Sequence, residues 1–264
     1  MNKLFLSLFL CAVFLTACAT NPEPLIPDTT APTEATENLT TSPAPVTTED
    51  TIAPTEPAHS AIYIPGVEAE DVVEWFNEVC LAAEYIQSGD PSFLQKWDGT
   101  IFYMIHGAPT QEDRATLETF SQWLNTLEGF PGIKETTDPQ EANLNIYFCS
   151  LPEMRTLMGD WANDLDGAVT FWYEYDRIYD ATICIRTDLN QHLRNSVILE
   201  ELYNGLGPIQ DTSLRPDSII YVEFSEPQQL TQIDELILRL LYHPQMQFGM
   251  DAAQCEAVIR CLYY

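Results

Sequence analysis

The chain has 264 residues, with 11 Lys and Arg against 40 Asp and Glu and a formal charge of −29 at pH 7. A field of that sign repels nucleic acid and anionic headgroups and attracts cations or cationic partners, so nucleic-acid binding is excluded. Nearly all the aromatic residues fall within 61–264, a length that supports one domain with its own core.

Residues 1–17, MNKLFLSLFLCAVFLTA, join one early cation, Lys3, to an apolar run too short for a comfortable bilayer span, and read as an export signal. Leu15-Thr16-Ala17-Cys18 places small residues directly before a cysteine. That junction resembles the lipobox of bacterial lipoproteins, which implies that Cys18 becomes an acylated N-terminus and holds the chain outside the cytoplasmic membrane. Residues 18–60 follow, rich in Pro, Thr and Glu and without Lys, Arg, Gly or aromatic residues. Such a segment buries too little apolar surface to offset its ordering entropy, so it is expected to be a disordered tether.

Within the domain, 68–87 spaces Val72, Phe76, Val79, Ala83 and Ile86 as a helix, with acids in its first turn. KWDG, at 96–99, reads as a turn before a strand at 100–106. Thr110 caps a long helix over 111–129 that Gly129 ends. A short strand is expected at 133–136 and an alternating, half-buried one at 143–149. Residues 164–167, DLDG, have the start of a calcium loop but lack its first and twelfth ligands, and read as a turn. AVTFWYEY (168–175) and IYDATICIR (178–186) flank Asp176-Arg177 as a β-hairpin without the favoured Asn-Gly. A helix closed by Gly205 and Gly207 comes next, and then an apolar helix over 233–242 stopped at Pro244.

Setting aside Cys11 and Cys18, the domain holds Cys80, Cys149, Cys184, Cys255 and Cys261, none of them in C-x-x-C spacing. Zinc-ribbon and thioredoxin chemistry are therefore disfavoured. At most two disulfides form in an oxidising compartment, and the strand positions of Cys149 and Cys184 make them one expected pair. Cys80 with Cys255 or Cys261 makes the other.

VILEELYNGLG, at 197–207, has the rhythm of a metallopeptidase zinc helix without its histidines. Together with KWDGTIFYMIHGAPTQEDRATL, EANLNIYF and DELILRLLYHPQMQFGM, its order and spacing resemble a family of exported bacterial proteins with a zincin-like domain of unknown function. The resemblance covers most of 66–260. It implies an α+β fold: a twisted mixed sheet, a long helix of the active-site type and C-terminal helices. On the frame H-E-x-x-H-x-x-G-x-x-H, Glu200 takes the first ligand position, Glu201 that of the catalytic glutamate, Asn204 the second ligand, Gly207 the turning glycine and Gln210 the third ligand. Amides are poor zinc ligands, so the site reads as degenerate, with no metal and no cofactor expected. His59, His106, His192 and His243 supply no replacement, since His59 lies in the tether, His106 ends a strand and His192 precedes the helix. Met246 and Met250 fall where such folds keep a methionine turn, although a methionine in a core usually serves packing. An ordinary amphipathic helix with a glycine stop also explains VILEELYNGLG.

The densest aromatic stretch holds Trp172, Tyr173 and Tyr175. The resemblance implies an edge strand here that pairs with an extended ligand, and these rings are candidate contacts for a peptide or an envelope glycan, although packing of the hairpin on both faces of the sheet accounts for them more simply. The sequence thus points to a lipid-anchored, extracytoplasmic pseudo-peptidase that binds rather than cleaves. A hydrolase using Glu200 and Glu201 is one alternative, weakened because adjacent helical residues point about 100° apart. A passive structural envelope protein is the other.

Overall fold

The computed structural model describes residues 62–81, 93–223 and 226–263. The expected signal, Cys18, the tether with His59, and the 82–87 end of the first helix lie outside the described residues. In chain order come α1 (Ala69–Leu81), β1 (Lys96–Trp97), β2 (Ile101–Gly107), α2 (Gln111–Leu124), β3 (Ile133–Glu135), β4 (Leu144–Cys149) and α3 (Leu151–Met158). A 3-10 turn at Asp160–Ala162 leads to β5 (Gly167–Glu174), β6 (Arg177–Arg186), α4 (Gln191–Asn204), α5 (Gln232–Tyr242) and α6 (Ala252–Leu262). The fold is α+β, built on one mixed sheet.

Strands β3, β2, β4 and β6 lie side by side and parallel; α2 makes the crossover from β2 to β3, a loop over 136–143 leads from β3 to β4, and α3 and β5 lie between β4 and β6 in the chain. Short β1 also runs parallel to β6, at Lys96↔Arg177 and Trp97↔Ile178. Among the described strands only β5 is antiparallel, because a tight hairpin joins it to β6. Among the described residues β5 pairs with no other strand, so it forms an edge.

Pleat alternation sends Ile101 and Tyr103 of β2, Leu144 and Ile146 of β4, and Ala181, Ile183 and Ile185 of β6 into one core. Helices α2 and α4 supply Leu117, Phe120, Leu124, Val197, Ile198 and Leu202 to that core. Helix α5 leaves only a narrow polar stripe, Gln232, Glu235 and Arg239, toward solvent and buries Ile233, Leu236, Ile237, Leu240 and Leu241 at about 1.5–3 kcal/mol each, so most of its surface lies in the core. Residues of the opposite sheet face, Cys149, Cys184 and Ala168, form a smaller cluster with Met154 and Met158 of α3. Among the described residues no helix is long and apolar enough to cross a membrane.

Several boundaries differ from the sequence reading. Helix α2 has the expected Thr110 cap, completed by Asp113 in a capping box, but ends at Leu124 rather than at Gly129. Asn125 stops it: its side chain donates to Ile133 O at 2.8 Å and accepts from Ile133 N at 2.9 Å, tying the helix end to β3. Helix α4 begins at Gln191, capped by Asn190, so His192 lies in its first turn rather than before it. KWDG is not only a turn, since Lys96 and Trp97 pair with β6.

Candidate functional site

The opening turns of α4 are locked in place by a buried ion pair, Arg194 Nε to Asp113 Oδ1 at 2.9 Å, while Arg194 Nη1 donates to Leu189 O. One turn later the helix presents Glu200 and Glu201, only 7% and 3% exposed. Glu201 lies flat against the first residue of β5. A Cβ built at Gly167 would meet Val197 Cγ1 and come within 2.7 Å of Glu201 Cγ and Oε1. The missing side chain at Gly167 is therefore what lets α4 approach the edge strand so closely.

Glu200 and Asn204 are four residues apart and share a helix face. Gly205 is an ordinary αR cap, whereas Gly207 has φ +126 and turns the chain. Gln210 follows, and its backbone N donates to Val79 O at 3.3 Å. Among the described residues the buried carboxamide oxygens of Asn204 and Gln210 find no hydrogen-bond donor. The three ligand positions thus hold one carboxylate and two amides. Among the described residues no three His, Cys, Asp or Glu side chains gather as a metal site. His106 stacks on Tyr147 at 4.2 Å and its Nε2 meets Asn145 Oδ1 at 2.9 Å. His192 Nε2 is 3.9 Å from Glu226, and His243 Nδ1 accepts from Gln245 N. Met246 is buried in the core, and its carbonyl accepts a hydrogen bond from Lys96.

The aromatic hairpin is a separate place. Gly167 and Trp172 are five residues apart on one strand, a span of about 17 Å at the usual rise, so Trp172 and Glu201 do not share a site. The turn residues are Tyr175 and Asp176, one position earlier than expected, with Glu174 opposite Arg177. Both have positive φ, +49 and +62, as a two-residue hairpin turn of this type requires. For a tyrosine that conformation costs about 1 kcal/mol or more. Trp172 faces Asp180 and Tyr173 faces Ile178, leaving Tyr179 as the extra residue of a bulge. Trp172 and Tyr175 are exposed, but Tyr173 turns inward, its ring 6.4 Å from Phe171 and packed against the core. Tyr173 thus packs beside Phe171 against the core, whereas Trp172 and Tyr175 face outward.

A cavity of about 360 Å³ opens beside this turn, lined by Trp97, Asp98, Glu174, Tyr175, Arg177 and Tyr179 among others. Trp97 is its fixed floor: the indole N–H donates to Gly205 O at 2.8 Å, joining the end of α4 to the hairpin. Sequence reading missed Lys96, Trp97, Asp98 and Tyr179. Lys96 is buried, donating to Leu241 O at 2.9 Å and Met246 O at 2.6 Å, and burial lowers its pKa to about 8. It pins β1 to the end of α5, where carbonyl dipoles favour a cation. A wider groove, about 620 Å³, runs between α2 and α4 past Thr116, Trp123, Asn195 and Leu199.

The five domain cysteines are free thiols. Cys149 and Cys184 lie on neighbouring strands in hydrogen-bonding contact; this bond stabilises one thiolate, lowering the pKa of Cys149 and raising that of Cys184. Burial pushes the Cys80 thiol up, and neighbouring Cys255 adds to the effect. Cys261 is exposed.

No curated protein matches the chain. A family profile matches residues 69–261, from the first residue of α1 almost to the end of α6. Since that stretch takes in both the α4 motif and the aromatic hairpin, the chain belongs to the family described as protein of unknown function (DUF2927).

Proposed function

We propose that this chain is an exported, lipid-anchored bacterial protein whose zincin-like domain is degenerate at the zinc motif and binds a peptide or a cell-envelope component. The observation that carries the binding reading is the aromatic end of the hairpin: Trp172 of β5 and Tyr175 of the turn are exposed, on a strand whose strand partner among the described residues is β6. A strand at the border of a sheet can extend the sheet to an extended ligand, and exposed rings add specificity. The zincin-like reading draws support from the single antiparallel edge strand, from α4 lying against it at Gly167, and from the turning glycine at the frame position. Degeneracy follows from ligand chemistry, because Asn204 and Gln210 offer zinc only neutral amides. The burial of Glu200 and Glu201 weighs against a hydrolase built on that pair, since a general base must reach its substrate's proton.

Calorimetric titration of the purified chain with extended peptides and with solubilised wall fragments tests this reading. Binding is expected from at least one class, weakened about tenfold by Trp172→Ala with thermal stability unchanged. If neither class binds, the domain is not a binding module of this kind. A Trp172→Ala chain that loses stability but keeps its affinity makes that ring a packing element.

A further inference from the structure

We propose that the cavity beside the Tyr175-Asp176 turn is a binding site for a neutral saccharide, with one pyranose ring held between Tyr175 and Tyr179. This goes beyond the binding reading above: it is a second site, distinct from the β5 edge and from Trp172. The cavity, about 360 Å³, falls in the size range of small-ligand sites. Its floor is Trp97 and Ile178, both buried, with the indole held by Gly205 O.

Two tyrosine rings stand at its rim, 84% and 54% exposed at Tyr175 and Tyr179. Neither placement serves the fold. A two-residue turn with two positive φ angles is met at least cost by Asn-Gly, yet Tyr175 occupies it at φ +49. Tyr179 is the additional residue of the bulge, a device that re-aims a side chain. Two separate irregularities therefore present aromatic surface to one cavity. Aromatic faces carry the negative part of the ring quadrupole and attract the polarised C–H face of a pyranose, while the phenol hydroxyls donate and accept hydrogen bonds.

The polar lining suits a polyol. Arg177 pairs with Asp98 and stacks over Phe248 at 4.5 Å, so its guanidinium is held before any ligand arrives. Asp98 and Glu174 flank it as planar acceptors for neighbouring hydroxyls. Two carboxylates against one guanidinium, in a chain of charge −29, disfavour phosphorylated or sulfated ligands. An extended peptide is disfavoured too, because the strand residues around the cavity are already paired, Trp97 with Ile178 and Glu174 with Arg177.

The test is calorimetry and saturation-transfer NMR on the full purified chain. The probes are soluble oligomers of N-acetylglucosamine, glucose and galactose, with a sulfated glycan and an extended peptide for comparison. At least one neutral oligomer should bind, with Tyr175→Gly and Tyr179→Ala each weakening it by about tenfold. Trp172→Ala, outside the cavity, should change it by less than about twofold. Tyr175→Gly suits the positive φ, so its melting temperature should not fall, and lost affinity in that variant is not misfolding. Failure of every neutral oligomer to bind overturns the proposal, as does binding that survives both tyrosine variants. If peptide or wall fragments bind through Trp172 while the sugars do not, the saccharide site falls and the binding reading stands. If no probe binds, both fall.

Discussion

Gly207→Ala isolates the backbone geometry that closes α4. The residue has φ +126, a region where side-chain-bearing residues are strained by about 1–3 kcal/mol. A Cβ there would lie 2.8 Å from Gln95 O and 3.1 Å from Leu241 Cδ2. Leu241 can adjust, but Gln95 O belongs to the backbone entering β1, whose next residue, Lys96, is anchored by two carbonyls. Overpacking of this kind adds about 1–3 kcal/mol, so the expected loss is about 4 kcal/mol. In a domain of this size that lowers the melting temperature by roughly 8–16 °C. Gly205→Ala is the control: at φ −65 its added Cβ meets Glu201 O at 3.3 Å and Val169 Cγ2 at 3.4 Å, contacts that yield by tenths of an ångström. Its stability should stay within about 1 kcal/mol of the parent. Thermal and urea unfolding followed by circular dichroism compares the three chains. A Gly207→Ala chain within about 1 kcal/mol of the parent, or equal damage from both alanines, refutes the argument that Gly207 alone carries the turn.

Burial pushes Asp180 up to about 6 from an ordinary 3.8, so the folded chain holds this proton more tightly than the unfolded one. The associated stability is complete below about pH 4 and lost as pH rises through about 6. The full difference would be about 3 kcal/mol, reduced to roughly 1 kcal/mol by solvent screening of a half-buried group. Asp180→Asn should match the parent at pH 4 and exceed it by that amount at pH 8, and a difference that stays flat across this range would contradict the assignment. Treatment of the purified chain with diamide should join Cys149 to Cys184, adding about 3–4 kcal/mol for a loop of this length; peptide mapping that finds both still alkylatable would count against it. Replacing Glu200, Asn204 and Gln210 together by His, with Glu201 kept, should add one zinc per chain in equilibrium dialysis, and a folded variant without that gain would reduce VILEELYNGLG to a helix with a glycine stop. Cys18→Ala should move the protein from the membrane to the soluble fraction, and unchanged sedimentation with membranes would rule out the lipid anchor.

The sequence alone determined whatever depends on short-range energetics. The Thr110 cap, the strand alternation at Leu144–Cys149, the hairpin and the apolar helix α5 were all legible, because capping bonds and face periodicity act within a few residues. Helices α3 and α6 had the same kind of signal, the capping boxes Ser150 to Glu153 and Asp251 to Gln254, which could have located them. Tertiary structure decided what depends on partners distant in the chain. Strand β1 exists only because Lys96 and Trp97 meet Arg177 and Ile178, and α2 stops at Leu124 only because Asn125 finds Ile133. The bulge and pleat sent Trp172 outward and Tyr173 inward, which no local pattern in FWYEY announces. Packing likewise separated Glu201 from the aromatic turn by most of a strand's length and brought Trp97 to Gly205, 108 residues apart. Pairings of that range follow from the joint burial of many side chains, and they placed the cavity where the sequence showed only a turn.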